Sequence, residues 1–210
     1  MKKIKSIIFD LGAVLLNISY QKTIVEFDKL GIKNSSTFYS KKKQTNIFNL
    51  LETGKITKSD FITEIQKHCN PATEREILYA WNAMILDLPV HRLQLLKKLK
   101  EQFNIYLLSN TNAIHISEFE NKLGEEQYNE FYQLFDKIYY SHEIGHRKPN
   151  AEAFQIIIDE NNLIPDEVLF IDDSSQHIEG AKKLGIKTHH LIDEEDVISL
   201  FPDKVQLELH

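Results

Sequence analysis

The first residue able to do chemistry stands where an apolar stretch near the N-terminus ends. Ile4 to Phe9 is mostly apolar and β-branched, and it stops at Asp10, with Gly12 shortly after. This pattern is typical of a buried strand of a parallel sheet that ends at Asp10, with the chain turning sharply through Gly12. In open α/β sheets ligands bind at the carboxyl ends of strands, so Asp10 is placed where chemistry usually happens.

The ends of three later predicted strands bring further polar side chains to the same edge. They supply a hydroxyl with an amide, a lysine and a pair of acids: Ser109, Asn110, Lys148, Asp172 and Asp173. Three carboxylates at one edge would repel one another, whereas Mg²⁺ takes oxygen ligands from carboxylates and substrate phosphate. Lys148 and Ser109 then suit phosphate oxygens, and an aspartate beside them can act as a nucleophile. Any one of these residues could be only a helix cap or a surface charge. That interpretation explains four successive strand ends poorly.

Strands that alternate with helices must position these residues. Strands are predicted at 4–9, 104–108, 137–140, 167–171 and 187–192. An amphipathic helix is predicted at 90–103. Further helices are predicted from Pro149-Asn150 to about Glu160 and, after Asp172-Asp173-Ser174-Ser175, to Leu184. With right-handed crossovers, this order predicts an α/β fold: a parallel sheet with helices on both faces.

The segment from about Ile18 to Leu86 interrupts this alternation, because it contains helical patterns only. Helices are predicted at 20–31, 36–51, 58–69 and 73–84. Thr57 to Asp60 and Thr73 to Glu76 have the form of capping boxes, and Gly31 suits the C′ position of the first helix. We therefore expect residues 17–87 to form an inserted helical domain, and residues 1–16 and 88–210 to form the core.

Composition excludes several classes of protein. The chain has 210 residues, of which 42% are apolar and 27% charged, and its formal net charge is −6. The run Lys41-Lys42-Lys43 is isolated, which argues against a nucleic-acid partner, and no apolar run approaches transmembrane length. Cys69 is the only cysteine, so we expect no disulfide framework and no cysteine metal site, and we predict a cytoplasmic protein. Nothing indicates the oligomeric state.

Four motifs, taken in sequence order, resemble those of the haloacid dehalogenase-like (HAD) hydrolase superfamily. They are Phe9-Asp10-Leu11-Gly12-x-Val14, Leu108-Ser109-Asn110-Thr111-Asn112, Ser141-x5-Arg147-Lys148-Pro149, and Phe170-Ile171-Asp172-Asp173-Ser174 closing on Ile178-Glu179-Gly180-Ala181. The insertion after the first motif resembles the α-helical cap of one subclass. The resemblance spans nearly the whole chain and implies a Rossmann-like core with an α-helical bundle cap. Within the superfamily, the motifs resemble the branch of sugar-1-phosphate phosphatases of the α-glucose-1-phosphatase type.

The resemblance implies a Mg²⁺-dependent phosphatase, a phosphoric monoester hydrolase acting on a small phosphorylated metabolite such as a sugar phosphate. Asp10 would be the nucleophile that forms an aspartyl-phosphate, and it would also bind the metal. Gly12 would offer its backbone carbonyl to the metal. Asp173 would be the principal ligand from the fourth motif, with Asp172 a second or water-mediated one.

The same resemblance assigns the phosphate-binding groups. Ser109 and the amide of Asn110 would hold the phosphoryl oxygens. Lys148 would neutralise charge beside Asp10, so that it counts as both a catalytic and a phosphate-binding residue. These roles agree with the electrostatics of phosphoryl transfer, in which positioning and charge neutralisation do most of the work.

One residue departs from the family pattern. Family phosphatases usually carry an aspartate two residues after the nucleophile as general acid and base, and here Gly12 stands there. Losing a general acid typically costs a factor of about 10² to 10⁴. Candidates to replace it are His115, His146, His177 or a cap residue. His115 is the best placed of these, although it could simply cap or pack, and we expect His177 to lie on the surface.

Two other functions remain open at this point. A 2-haloacid dehalogenase would use Asp10 to attack carbon without a metal, but the acids beside Lys148 favour metal and phosphate. The second is a slow or inactive binding or regulatory protein on the same scaffold, because of Gly12. Cap residues such as Tyr20, Phe48 and Trp81 could line the substrate cleft, and for each of them packing in the core is the favoured interpretation.

Overall fold

The computed structural model describes residues 3–39, 46–192 and 195–202. Within these residues, five parallel strands form one sheet in the order β3-β2-β1-β4-β5. The strands are β1 (Ser6–Phe9), β2 (Asn104–Ser109), β3 (Lys137–Tyr140), β4 (Val168–Asp172) and β5 (Lys187–His190). Each coincides with a predicted strand to within two residues at either end. The predicted parallel α/β sheet is confirmed.

The strand register brings the predicted site residues to one level. In the central strand β1, Phe9 pairs with Leu107 of β2 on one side and with Ile171 of β4 on the other. The residue after Phe9 therefore lies beside Leu108 and Asp172. Because the three strands run in the same direction, their carboxyl ends meet at one edge of the sheet.

Helices follow each strand and complete the insertion. They are α1 (Tyr20–Lys29), α2 (Ser35–Phe38), α3 (Asn46–Glu52), α4 (Lys58–Gln66), α5 (Glu74–Asn82), α6 (Val90–Lys100), α7 (Ala113–Leu123), α8 (Glu125–Gln133), α9 (Ser141–Ile144), α10 (Ala151–Glu160) and α11 (Ser175–Lys182). Short 3₁₀ helices occupy Pro165–Glu167 and Val197–Leu200. Residues 40–45, within the predicted helix 36–51 and including Lys41-Lys42-Lys43, lie outside the described residues. No helix of the described chain is long and apolar enough to span a membrane.

Alternate residues of the sheet face two apolar layers, as the strand period requires. Ile8 and Phe170 pack against Phe154 of α10 and Ile178 of α11 on one face. Residues of the opposite parity, such as Phe9, belong to a second cluster on the other face that continues into the helical insertion. The prediction of helices on both faces is therefore confirmed.

The helical insertion has its own aromatic centre. Trp81 is fully buried and stacks on Phe48 with ring centroids 5.0 Å apart, and Phe61 approaches it at 5.2 Å. Both predicted capping boxes are present. The Thr57 and Thr73 side chains each accept from the backbone amide three residues later, and the carboxylate of that residue accepts from the backbone amide of the threonine.

The insertion leaves and rejoins the core through two paired segments. The amide of Asn17 donates to the carbonyl of Asp87 at 2.9 Å, and the amide of Leu86 donates to the carbonyl of Asn17 at 3.0 Å. Within the described residues, no strand of the sheet lies between these segments. We propose that residues 17–87 form a cap domain on a core of residues 1–16 and 88–210.

Candidate active site

The carboxylate of Asp10 lies at the carboxyl end of β1, where the sheet's register places it. Its backbone amide donates to the carbonyl of Ile171 at 2.9 Å, which fixes the residue against β4. Asp10 is 8% exposed, and its Oδ1 accepts from Nζ of Lys148 at 2.7 Å. The carboxylate thus faces a cavity with one oxygen held by a buried ammonium group.

Lys148 makes three contacts with its single charged nitrogen. Its Nζ donates at 2.7 Å to Asp10, to Oδ2 of Asp172 and to the backbone carbonyl of Leu108. The side chain is fully buried. An ammonium group has three protons to donate, so these contacts use all of them and fix the position of Nζ.

The side chain of Asn110 holds the loop that carries Lys148. Its Oδ1 accepts from the backbone amide of Lys148 and its Nδ2 donates to the carbonyl of Lys148, both at 2.9 Å. The sequence assigned only the amide of Asn110, to phosphate, and missed this positioning contact. Ser109, at the end of β2, is buried and lines the same cavity as Asp10.

The two acids at the end of β4, Asp172 and Asp173, differ in their surroundings. Asp172 is fully buried, and besides Lys148 it accepts from the amide of Ser174 at 2.7 Å and lies 3.0 Å from Nδ1 of His177. Asp173 is partly exposed and lines the cavity. Because Asp172 is fully buried and Asp173 lines the cavity, Asp173 is the better placed of the two to face a ligand.

The charges of this cluster change the pKa values of its members. Burial raises the pKa of Asp10 to about 7, with Asp172 and Asp173 adding to the rise that Lys148 only partly offsets. Burial would also raise the pKa of Asp172, but Lys148 and His177 outweigh it and hold that pKa at about 2. Burial would lower the pKa of Lys148, but the two carboxylates outweigh it and raise that pKa above its ordinary value. Asp172 and Lys148 therefore form the ionised pair, while the ionised form of Asp10 is disfavoured unless a further cation binds beside it.

The donor set fits a hard dication. Asp10, Asp172 and Asp173 each offer a carboxylate oxygen, and these oxygens lie within 4.8 Å of one another. Gly12 lines the cavity beside them. Mg²⁺ prefers oxygen ligands and usually takes one or two carboxylates, so the residues present suit it.

Residues 7–191 match the family model of haloacid dehalogenase-like hydrolases. The chain belongs to this family. The match runs from β1 to just beyond β5 and includes the helical insertion. The resemblance read from the four motifs is therefore confirmed, and the protein is an enzyme of the HAD-like hydrolase class.

Relatives of known activity or structure cover most of the chain. A D-ribitol-5-phosphate phosphatase of Bacteroides thetaiotaomicron is 34% identical over 186 residues, 88% of this chain and 90% of that protein. A sesquiterpene phosphatase of Aspergillus oryzae is 28% identical over 193 residues, 90% of each chain. The crystal structure of a HAD family enzyme from Bacteroides thetaiotaomicron, an aspartate-to-alanine variant in complex with magnesium and inorganic phosphate, matches with a TM-score of 0.84. It is 32% identical, over 92% of this chain and 96% of that chain.

In the turn after Asp10, Gly12 lies beside the side chain of Ile18. The left-handed residue of the turn is Ala13, with φ of 62°, so it is Ala13 and not Gly12 that carries the unusual backbone conformation. A Cβ on Gly12 would lie 3.0 Å from Cδ1 of Ile18, the far end of a flexible side chain. A Cβ at position 12 therefore requires Ile18 to shift by a few tenths of an ångström.

His115 lines the cavity, but both of its ring nitrogens have partners within the protein. Its ring stacks on Trp81 at 4.4 Å, Nε2 lies 3.2 Å from the carbonyl of Trp81, and Nδ1 lies 3.2 Å from Nδ2 of Asn112. The carbonyl can only accept, so it fixes Nε2 as the protonated nitrogen. Burial lowers the pKa of His115 to about 4. These contacts favour the packing interpretation.

The other two candidate histidines, His177 and His146, differ in whether they line the cavity. His177 was expected on the surface, and this is wrong: its side chain is 18% exposed, contacts Asp172 and lines the cavity. The first turn of α11 points it back toward the end of β4. His146 is exposed and does not line the cavity.

The cavity has a volume of about 380 Å³, and cap and core residues both line it. Tyr20 lines it, whereas Phe48 and Trp81 are fully buried in the cap, so the packing interpretation holds for those two alone. Glu52 and Arg147 also line the cavity. Sequence patterns provided no signal for Glu52, and they placed Arg147 in the third motif without assigning it to the site.

Proposed function

We propose that the protein is a Mg²⁺-dependent phosphatase that hydrolyses a small phosphorylated metabolite through an aspartyl-phosphate on Asp10. The observation that carries this proposal is the cluster of Asp10, Asp172 and Asp173 beside the buried Nζ of Lys148, all at one edge of the sheet. An arrangement of this kind offers a nucleophile, oxygen ligands and a fixed positive charge within one cavity.

The proposed reaction has two steps. A carboxylate oxygen of Asp10 attacks phosphorus, and the bond to the leaving oxygen breaks, with that oxygen taking the electron pair. Water then attacks the aspartyl-phosphate, which releases inorganic phosphate and restores the carboxylate. Lys148 holds Asp10 in place and supplies positive charge, while Ser109 and the Asn110 amide bind phosphoryl oxygens.

The proposed Mg²⁺ ligands are the acids of the cluster and the backbone carbonyl of Gly12. Asp10, Asp173 and the carbonyl of Gly12 would hold Mg²⁺, with Asp172 a more distant ligand because Lys148, Ser174 and His177 surround it. When bound, Mg²⁺ supplies charge that offsets the clustered carboxylates and the phosphoryl oxygens.

The relatives support a phosphorylated small molecule as the substrate. The 34% identical relative is named for D-ribitol 5-phosphate, whose phosphate sits on a primary alcohol. A sugar or alditol phosphate of a few carbons also suits a cavity of about 380 Å³. The narrower likeness to sugar-1-phosphate phosphatases stays a prediction.

The test is hydrolysis of p-nitrophenyl phosphate with Mg²⁺ and after removal of metal by EDTA. We expect turnover with Mg²⁺, its loss in EDTA and its return when Mg²⁺ is restored, because the single positive charge of Lys148 does not balance three clustered carboxylates. Halide release from 2-chloropropionate, measured in parallel without metal, would instead select the dehalogenase. The absence of both activities would leave a binding or regulatory protein.

Gly12→Asp is expected to accelerate hydrolysis of primary alkyl phosphates by about 10²-fold or more, because it adds the general acid that the family usually has. Aryl phosphates, whose leaving groups need little protonation, should gain much less. The measured quantity is the slope of log kcat/KM against leaving-group pKa, which should become shallower. Gly12→Asn, similar in size but without a carboxyl group, is the matched control. A folded Gly12→Asp variant with an unchanged slope would mean that another group already supplies the proton.

A further inference from the structure

An ion pair between cap and core lies in the wall of the active-site cavity. Glu52, the last residue of α3, places Oε2 2.7 Å from Nη2 of Arg147, the residue before Lys148. Nη1 of Arg147 also donates to Oδ1 of Asn49. The Glu52 side chain is 6% exposed and that of Arg147 is 24% exposed. All three residues line the cavity that Asp10 and Ser109 share.

The backbone holds this pair in a fixed place relative to the reacting carboxylate. Gly54, with φ of +65°, lies so close to the core that an added Cβ would be 2.2 Å from the carbonyl oxygen of His142. This contact places the end of α3 against α9, the short helix that precedes Arg147. Arg147 is bonded to Lys148, whose Nζ touches Asp10. A substrate held at Asp10 therefore meets the pair at a set distance.

We propose that Glu52 determines specificity by neutralising Arg147, so that the site takes phosphomonoesters of neutral hydroxylated carbon chains and rejects phosphorylated acids. This inference rests on the proposed phosphatase function. A free guanidinium group beside a phosphate site would bind the carboxylate of a phosphorylated hydroxy acid through two parallel hydrogen bonds. Glu52 already occupies that guanidinium, and its own charge would repel a second carboxylate. Discrimination by an occupied cation and a repulsive charge is a common route to specificity.

The remaining polar groups of the wall suit hydroxyl groups. The Tyr20 hydroxyl lies in the same wall, and burial together with the charges of Asp173, Asp10 and Glu52 raises the pKa of Tyr20, which keeps it a donor at neutral pH. Sugar and alditol hydroxyls can accept from such donors and donate to the Glu52 carboxylate.

The experiment compares two ligands that differ at one carbon: glycerol 3-phosphate, with a terminal CH₂OH, and 3-phosphoglycerate, with a carboxylate there. Each competes against Mg²⁺-dependent hydrolysis of p-nitrophenyl phosphate, so an inhibition constant is obtained whether or not the ligand is turned over. In the native protein we expect glycerol 3-phosphate to bind more tightly. Glu52→Gln should shift the ratio of the two constants toward 3-phosphoglycerate by at least about tenfold, the effect of one charge-assisted hydrogen bond.

Two further variants separate charge from packing. Arg147→Gln should shift the ratio the opposite way, because Glu52 then repels the acid without a counter-charge, and this variant decides the question if Glu52→Gln does not fold. The double variant Glu52→Gln/Arg147→Gln should return the ratio to within about threefold of native, since the cation that Glu52→Gln exposes is gone.

The outcomes of the two proposals are distinguishable. If the native protein does not hydrolyse p-nitrophenyl phosphate with Mg²⁺, the proposed function fails. If it does, and the ratio stays within about threefold of native in both single variants, or shifts in the same direction in both, the role of Glu52 is overturned while the phosphatase stands.

Discussion

Asp10→Asn is expected to lower Mg²⁺-dependent kcat/KM for p-nitrophenyl phosphate by at least about 10⁴-fold, in the range seen when a nucleophile is removed. The same change should raise the melting temperature of the metal-free protein at pH 8. Burial and the neighbouring acids raise the pKa of Asp10 from 3.8 to about 7, so the folding free energy that it costs grows as the pH rises between these values and is complete above about 7. An amide of the same shape removes that cost. Opposite effects on activity and stability are the mark of a residue kept for function.

Asp159→Asn is the matched control, because Asp159 is an exposed acid at the end of α10 that accepts from Gln155. It should change neither activity nor melting temperature. Both variants are measured by thermal unfolding in EDTA and by initial rates with Mg²⁺. An Asp10→Asn variant that keeps more than about 1% of native turnover would contradict the nucleophile assignment. A variant that loses activity and also melts lower would point to a structural role instead.

The position of the strand-end residues could be predicted because parallel strands place their carboxyl ends at one edge of the sheet. Parallel strands in register bring their carboxyl ends to one edge, so Asp10, Lys148 and Asp172 were predictable from short apolar runs and the polar residues after them. The capping boxes were readable for a similar reason, since the residues concerned lie three apart in the chain. Strand ends and capping boxes can both be recognised from residues that are close together in the chain.

Contacts between distant segments could not be predicted in this way. Glu52 and Arg147 are far apart in the chain, and only the seating of α3 on the loop after β3 brings them together. His177 looked like a surface residue because nothing in the sequence shows that the first turn of α11 folds back over Asp172.

Lys148→Met is expected to lower the free energy of unfolding by about 3 to 5 kcal/mol, the usual cost of removing one partner from a buried ion pair. The change leaves Asp10 and Asp172 close together without the cation that both contact at 2.7 Å. For a chain of this size the loss corresponds to a fall in melting temperature of roughly 6 to 20 °C. Activity should be lost as well, because no fixed charge remains beside the nucleophile.

Lys137→Met is the matched control. Lys137 pairs with Glu160 at 2.6 Å, but the side chains are 49% and 46% exposed, so the pair is screened by water and its loss should leave the melting temperature nearly unchanged. The comparison therefore separates the buried position from the general effect of replacing a lysine by methionine. Equal effects in the two variants would contradict the buried cluster.

The pH dependence gives the second readout for Lys148→Met. In the native protein Lys148 and His177 outweigh the burial of Asp172 and hold its pKa at about 2, below its unfolded value, so this pairing stabilises the fold at every pH above about 4. Without Lys148, burial and the adjacent Asp10 would raise the pKa of Asp172 above the unfolded value. The folded variant would then keep a proton that the unfolded chain has released, and its stability would fall as the pH rises. The destabilisation, measured in EDTA, should therefore be larger at pH 8 than at pH 5.5, and an equal loss at both would mean that Lys148 does not hold the charge of these two carboxylates.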